Sequence, residues 1–164
     1  MSKEVKESNS AVELEKWMAA VYTKLKEPFA KEALSTDSSR GFDLTSIKAQ
    51  YVVERLNEVC GVGNWRHSGT YEPVENGVIF KGQLVISNSS IDKSLGTVRE
   101  AVGFAQIKRN IGDAYKGAKT DSLSKCASYF GLGNDIFKGL VAPPSKSKPR
   151  ASKAKPKVVS NNDF

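Results

Sequence analysis

Histidine occurs once in the 164 residues and cysteine only twice, which excludes most catalytic and metal chemistry at the outset. His67 with the widely separated Cys60 and Cys126 gives no zinc-ligand spacing. There is no Gly-x-Gly-x-x-Gly fingerprint and no phosphate loop with its lysine. No apolar run approaches the ~18–20 residues that span a bilayer, and the N-terminal stretch is too polar for a signal peptide. These absences point to a cytoplasmic protein that is not an enzyme, with no catalytic residues, no cofactor, no metal and no membrane partner.

The few candidates for chemistry have plainer readings. His67, beside Trp65 and Arg66, reads as a partly exposed strand histidine rather than a general base. Cys60 and Cys126 sit in helical patterns and read as reduced, buried small hydrophobes, not a disulfide. Asp113 and Asp121 fall on neighbouring faces of one helix; they read as helix-start and helix-surface acids rather than a two-carboxylate metal site.

What is present is positive charge, unevenly placed. The net charge is +7, but residues 143–164 hold six basic residues and one acidic, so +5 of it lies there. These cations are Lys146, Lys148, Arg150, Lys153, Lys155 and Lys157, spaced by Ser, Pro and Ala. Such a segment buries too little apolar surface to order itself, so it reads as a disordered basic tail. Its last residues, Asn162-Asp163-Phe164, faintly resemble peptide-docking tips. Residues 1–142, with a hydrophobic and charged balance ordinary for a globular chain, read as one folded domain.

Within that domain the pattern predicts α+β. Residues 1–10 are expected to fray. Ser10 and Glu13 form a capping-box pattern opening a helix whose apolar face is Val12, Trp17, Val21 and Leu25, with Leu14 and Met18 beside it; Pro28 ends it. Lys31 to Phe42 reads as a loop. A second helix is predicted from Ser46 to Cys60, with Ile47, Tyr51, Val52, Leu56 and Val59 on one face, broken at Gly61. Three strands follow, Trp65–Glu72, Val78–Ser87 and Leu95–Phe104, with Asn76-Gly77 as a hairpin signal and Asn88–Ser94 as a loop. A long helix, Ile111 to Phe130, carries Ile111, Tyr115, Ala118, Ser122, Cys126 and Phe130 as its stripe, and Gly131 and Gly133 stop it. Strands that run together before a helix give a β-β-β-α order behind an N-terminal helical pair.

A surface that grips a phosphate backbone needs several cations, each phosphate contact releasing counterions. The final third supplies Lys108, Arg109, Lys116, Lys119 and Lys125. Lys108 and Arg109 stand where strand passes to helix, and Lys116 and Lys119 share a helix face. Lys125 is about half a turn from Lys116, so the cations do not form one stripe.

The order Val102-Gly103-Phe104, then Thr120-Asp121-Ser122-Leu123, then Phe130-Gly131-Leu132-Gly133 resembles the Rad-fifty-two superfamily of single-strand DNA annealing proteins. The DdrA-like bacterial branch is the most similar. Leu56-Asn57-Glu58-Val59-Cys60-Gly61 ending at Trp65, and Pro28-Phe29 after a leucine-bearing helix, match further segments. The resemblance covers roughly residues 25 to 138.

It implies a ring-forming homo-oligomer that binds single-stranded DNA by its backbone, leaves the bases outward, and anneals complementary strands without nucleotide hydrolysis. The setting would be recombination or repair in a bacterium or phage-infected cell, with a single-strand-binding protein or recombinase as a possible partner. Two helix positions often basic in the family align with Ser124 and Ser128, leaving Lys125 as the charged one. Lys48 and Tyr51 align with the other wall of the family's groove, although Tyr51 also reads as a core residue. The tail would act as a flexible non-specific arm. Two alternatives stay open: a DNA-end coating protein that does not anneal, and an RNA-binding accessory factor.

Overall fold

Three antiparallel strands and one helix of small residues set the frame of the computed structural model, which describes residues 3–38 and 43–141. The basic tail, with its six cations and its terminal Asn162-Asp163-Phe164, lies outside the described residues. The element order is α1 (Lys3–Leu25), a 3-10 turn (Lys31–Ala33), β1 (Leu34–Asp37), β2 (Leu44–Ile47), α2 (Ala49–Cys60), β3 (Trp65–Val74), β4 (Gly77–Asn88), β5 (Asp92–Gln106), α3 (Ile111–Ser128) and α4 (Asn134–Phe137).

The expected α+β architecture is present, with β3-β4-β5 as one antiparallel sheet in sequence order. The alternation of β4 decides which face is covered. Val78, Phe80, Gly82, Leu84 and Ile86 are buried, while Lys81 between them is exposed. Their β5 partners Ala105, Gly103, Ala101, Arg99 and Thr97 share that inner face. α3 lies across it on Ala114, Ala118, Ser122 and Cys126, all buried. Small side chains bring helix and sheet close: a Cβ on Gly82 would stand 2.3 Å from Ser122 Oγ. Leu25, Val52, Leu56, Leu84, Ile86, Leu123, Cys126 and Leu132 join α1, α2, the sheet and α3 in one core cluster.

Several boundaries differ from the sequence reading. α1 begins at Lys3, so Ser10 and Glu13 lie inside a helix rather than capping one, and the stretch expected to fray is helical. Glu4, Lys6 and Glu7 are good helix formers with no breaker among them, which outweighs the local cap signal. The stretch from Lys31, expected to be a loop, contains β1, and α2 starts at Ala49 rather than Ser46. Ser46 and Ile47 belong instead to β2, paired Leu34↔Ile47 and Ser35↔Ser46 with β1. Burial of Leu34 and Ile47 on one side of this short hairpin fixes its register.

The β3–β4 turn is Glu75-Asn76, one residue before the expected dipeptide, because Val74 pairs with Gly77. β4 and β5 extend into the expected 88–94 loop, with Asn88 opposite Asp92 after an irregularity in register. Ile111 is 52% exposed and is not part of the buried stripe, which Leu123 and Ala127 complete instead.

Helix ends follow local chemistry. Asn110 caps α3, its side-chain oxygen accepting from Asp113 N at 2.8 Å. After Ser128 the chain turns at Gly131, whose φ of +94° is the left-handed region, and Leu132 N donates back to Ala127 O at 3.3 Å. Arg55, assigned no partner from sequence, closes α1. Its guanidinium donates to Glu27 O (2.8 Å) and Pro28 O (3.3 Å) and lies 4.4 Å from the Phe29 ring centroid. Both cysteines are buried free thiols, as their pattern suggests. Burial pushes Cys60 up to about 11 and raises Cys126 as well.

Candidate nucleic-acid interface

A short hairpin with two adjacent hydroxyl residues in each strand, followed at once by a helix start, creates one wall of a cleft. Ser35 on β1, Thr45 and Ser46 on β2, and Lys48 before α2 line it. The opposite wall is α3, through Gly117, Thr120, Asp121, Ser124 and Lys125, and α4 closes one end with Ile136 and Phe137. The cleft encloses about 390 Å³. It exists because β2 holds the first turn of α2 beside α3, with Lys48 N donating to Ala33 O at 2.8 Å.

Lys48 and Lys125, from separate parts of the chain, therefore face one cavity. Lys48 Nζ donates to Glu32 O at 2.5 Å, a neutral carbonyl that leaves its charge in place. It also stands 5.9 Å from the Tyr51 ring centroid. Tyr51 itself is half-buried against the core cluster.

Lys125 is placed differently. Its Nζ donates to Asp121 Oδ2 at 2.8 Å and to Val102 O at 3.1 Å. The same carboxylate oxygen accepts Phe104 N at 2.9 Å. Among the described residues β5 pairs only with β4, so Asp121 and Lys125 satisfy outward backbone groups of an edge strand.

Other cations stand elsewhere. Lys116 precedes Thr120 by one helical turn, about 40° round the axis from it, and its Nζ is 4.0 Å from Asp113 Oδ1. Lys119 is exposed on the opposite flank, where its charge acts on His67. Lys108 and Arg109 are exposed beyond the end of β5, bordering a second hollow with Gln106 and Asp113. Of the folded-domain residues chosen from sequence, then, Lys48 and Lys125 share the cleft and Tyr51 lies beneath Lys48. Lys108 with Arg109 forms a separate basic point, and Lys119 faces away.

Ser124 and Ser128, the two positions that the resemblance marks as places for basic residues, turn their hydroxyls back to helix carbonyls, Ser124 Oγ to Thr120 O at 3.1 Å and Ser128 Oγ to Lys125 O at 2.8 Å. Ser124 still borders the cleft. The hydroxyls of Ser35, Thr45, Ser46 and Thr120 were not anticipated. Their signal was the pair of short segments Leu34-Ser35-Thr36-Asp37 and Leu44-Thr45-Ser46-Ile47, of which the first fell in the expected loop and the end of the second in the expected start of α2.

His67 takes no part in the cleft. Its Nε2 is 3.2 Å from Ser122 Oγ, which also bonds Ala101 O at 2.9 Å. Burial, with the Lys119 charge nearby, holds its pKa down at about 4. Among the described residues no group of three or more His, Cys, Asp or Glu is placed to hold a metal ion. Asp113 and Asp121 serve the α3 cap and the β5 edge respectively.

The chain is thus a β-β-β-α unit whose helix forms, with the N-terminal hairpin, a cleft that carries Lys48 and Lys125. Residues 18–140 match the family described as Rad52/22 family double-strand break repair protein, which covers most of the chain. The chain belongs to that family. Two curated relatives are similar to it, both named single-stranded DNA-binding protein DdrA. The one from Deinococcus deserti is 29% identical over 127 residues, 73% of this chain and 58% of the relative. The one from Deinococcus radiodurans is 27% identical over 129 residues, 73% of this chain and 56% of the relative. The chain thus spans under three-fifths of the length of these relatives. Among the described residues no helix is long and apolar enough to cross a membrane.

Proposed function

We propose that this chain binds single-stranded DNA along its backbone and anneals complementary strands in recombination or repair, without nucleotide hydrolysis, cofactor or metal. The observation that carries the reading is the meeting of Lys48 and Lys125 in one cleft bordered by Ser and Thr residues. Hydroxyls and ammonium groups suit phosphate oxygens, which gives affinity without sequence preference. Membership of a double-strand break repair family and the names of the Deinococcus relatives support it. Lys108, Arg109, Lys116 and the tail cations would extend the grip, with Tyr51 positioning Lys48.

Assembly into a ring-like homo-oligomer is part of the proposal. The outer face of β5 presents Val98, Val102 and Phe104, each more than two-fifths exposed, in a row that a neighbouring copy would cover. A closed ring would join this face to a different surface of the next copy. The setting would be the cytoplasm of a bacterial or phage-infected cell, with a single-strand-binding protein or recombinase as further partner.

A second reading, coating of DNA ends without annealing, is favoured by the Asp121 contact that ties up Lys125, since a lightly charged cleft grips weakly. Annealing of two labelled complementary oligonucleotides at two salt concentrations, without ATP, decides between them. Acceleration well above the spontaneous rate supports annealing. Binding without acceleration supports coating, and no binding to either strand removes both.

A further inference from the structure

The cleft contains an acid as well as its lysines, and the acid is not idle. Asp121 Oδ2 receives both Lys125 Nζ at 2.8 Å and Phe104 N at 2.9 Å, while Lys125 also reaches Val102 O. Lys125 is therefore folded down onto the rim of β5 with its charge matched. Lys48, by contrast, rests on a carbonyl and keeps its charge. A phosphate entering the cleft meets one lysine whose charge stands and one already occupied by a carboxylate.

We propose that Asp121 sets the charge of this cleft, holding Lys125 against the edge of β5 so that a backbone phosphate must displace the carboxylate to engage it. This rests on the reading of the cleft as a single-stranded DNA groove, and it adds a residue that opposes binding. The exchange is feasible because the pair is accessible, with side chains 45% and 37% exposed, and a solvent-exposed ion pair is weak. A phosphate offers Lys125 the same kind of acceptor that Asp121 does. While Asp121 holds it, the cleft contributes less to counterion release than its two lysines suggest.

The test is the salt dependence of binding of a labelled oligo-dT strand, read by fluorescence anisotropy. Asp121→Asn keeps an oxygen for Phe104 N but no longer neutralises Lys125. It is expected to bind several-fold tighter at low salt, and its log K against log[salt] slope should steepen by about 0.7, one added single-strand phosphate contact. Asp121→Ser, also an uncharged acceptor, should steepen the slope likewise and serves if the asparagine variant folds poorly. In a Lys125→Gln background Asp121→Asn should give no gain. Glu72→Gln removes the same charge from Lys81, its partner at 2.5 Å on the face away from α3, and should not steepen the slope. An unchanged slope in folded Asp121 variants, or an equal gain from Glu72→Gln, overturns the proposal. Lys48→Gln separates it from the reading beneath it. If that variant leaves affinity and slope unchanged, the groove is misplaced; if it lowers both while the Asp121 variants do nothing, only the role of Asp121 fails.

Discussion

Gly103 lies so close beneath Ala118 that a Cβ on the glycine would stand 2.0 Å from the Ala118 carbonyl oxygen and 2.5 Å from Ser122 N. Those are helix backbone atoms, which no rotamer change can move aside. Gly103→Ala should therefore lift α3 off β5 and destabilise the fold by about 3 kcal/mol or more, at the upper end of overpacking costs. Gly63, where an added Cβ meets nothing within 4 Å, is the matched control. Thermal melting of Gly63→Ala close to the parent, beside a large drop for Gly103→Ala, is the expected pair of results. Equal melting of the two would show that the helix is not seated this closely.

Arg55 spans three backbone carbonyls at and just beyond the end of α1, those of Lys24, Glu27 and Pro28, and stacks on Phe29. A lysine has a single ammonium and no planar face, so it cannot do both. Arg55→Lys should cost about 1–2 kcal/mol, the scale of one or two missing charge-assisted hydrogen bonds, read as a lower urea midpoint. An unchanged midpoint would mean that Arg55 does not hold α1 to α2.

His67 is the sole histidine, and its folded pKa of about 4 lies below the ordinary 6.5. Between those values the unfolded chain binds the proton and the folded chain does not, so stability rises with pH across that window. The contribution is fully present above about pH 6.5 and is lost progressively toward pH 4. Melting temperature should fall from pH 7 to pH 5, and His67→Gln should flatten that part of the profile. An identical slope in the variant would place the titration elsewhere.

Deleting residues 143–164 removes a net charge of +5. Affinity for single-stranded DNA should fall, and the salt slope should shrink by about 0.7 for each phosphate that the tail had neutralised. An unchanged slope would mean that the tail does not touch the strand.

Lys108 and Arg109 stand together beyond β5, apart from the cleft. Changing both to Ala should weaken binding alike for homopolymer and mixed strands, as backbone contacts require. A loss confined to one base composition would contradict that role.

The sequence by itself determined the elements whose signals are local. Periodicity placed α2 and α3, strand-like segments set off by a hairpin signal and a polar loop placed the three strands, and glycines at 131 and 133 marked a left-handed stop that their φ values of +94° and +66° bear out. The family resemblance rested on the same short-range order and agrees with the match over residues 18–140. The β1–β2 hairpin was hidden because four-residue strands rich in Ser and Thr carry turn-like composition, and only pairing with each other makes them strands. Ile111 fits the helical period of the stripe yet is exposed, because the sheet covers only part of that face.

Tertiary structure alone decided which cations share a cleft. Which of five scattered lysines and arginines would meet Lys48 depends on the angle at which α3 crosses the sheet, and the small residues at Gly82, Gly103 and Ser122 set that closeness. Whether Lys125 is available depends on a contact with Asp121 and the edge of β5. Charge is legible residue by residue, but its compensation is a property of distances, and those exist only once the chain is packed.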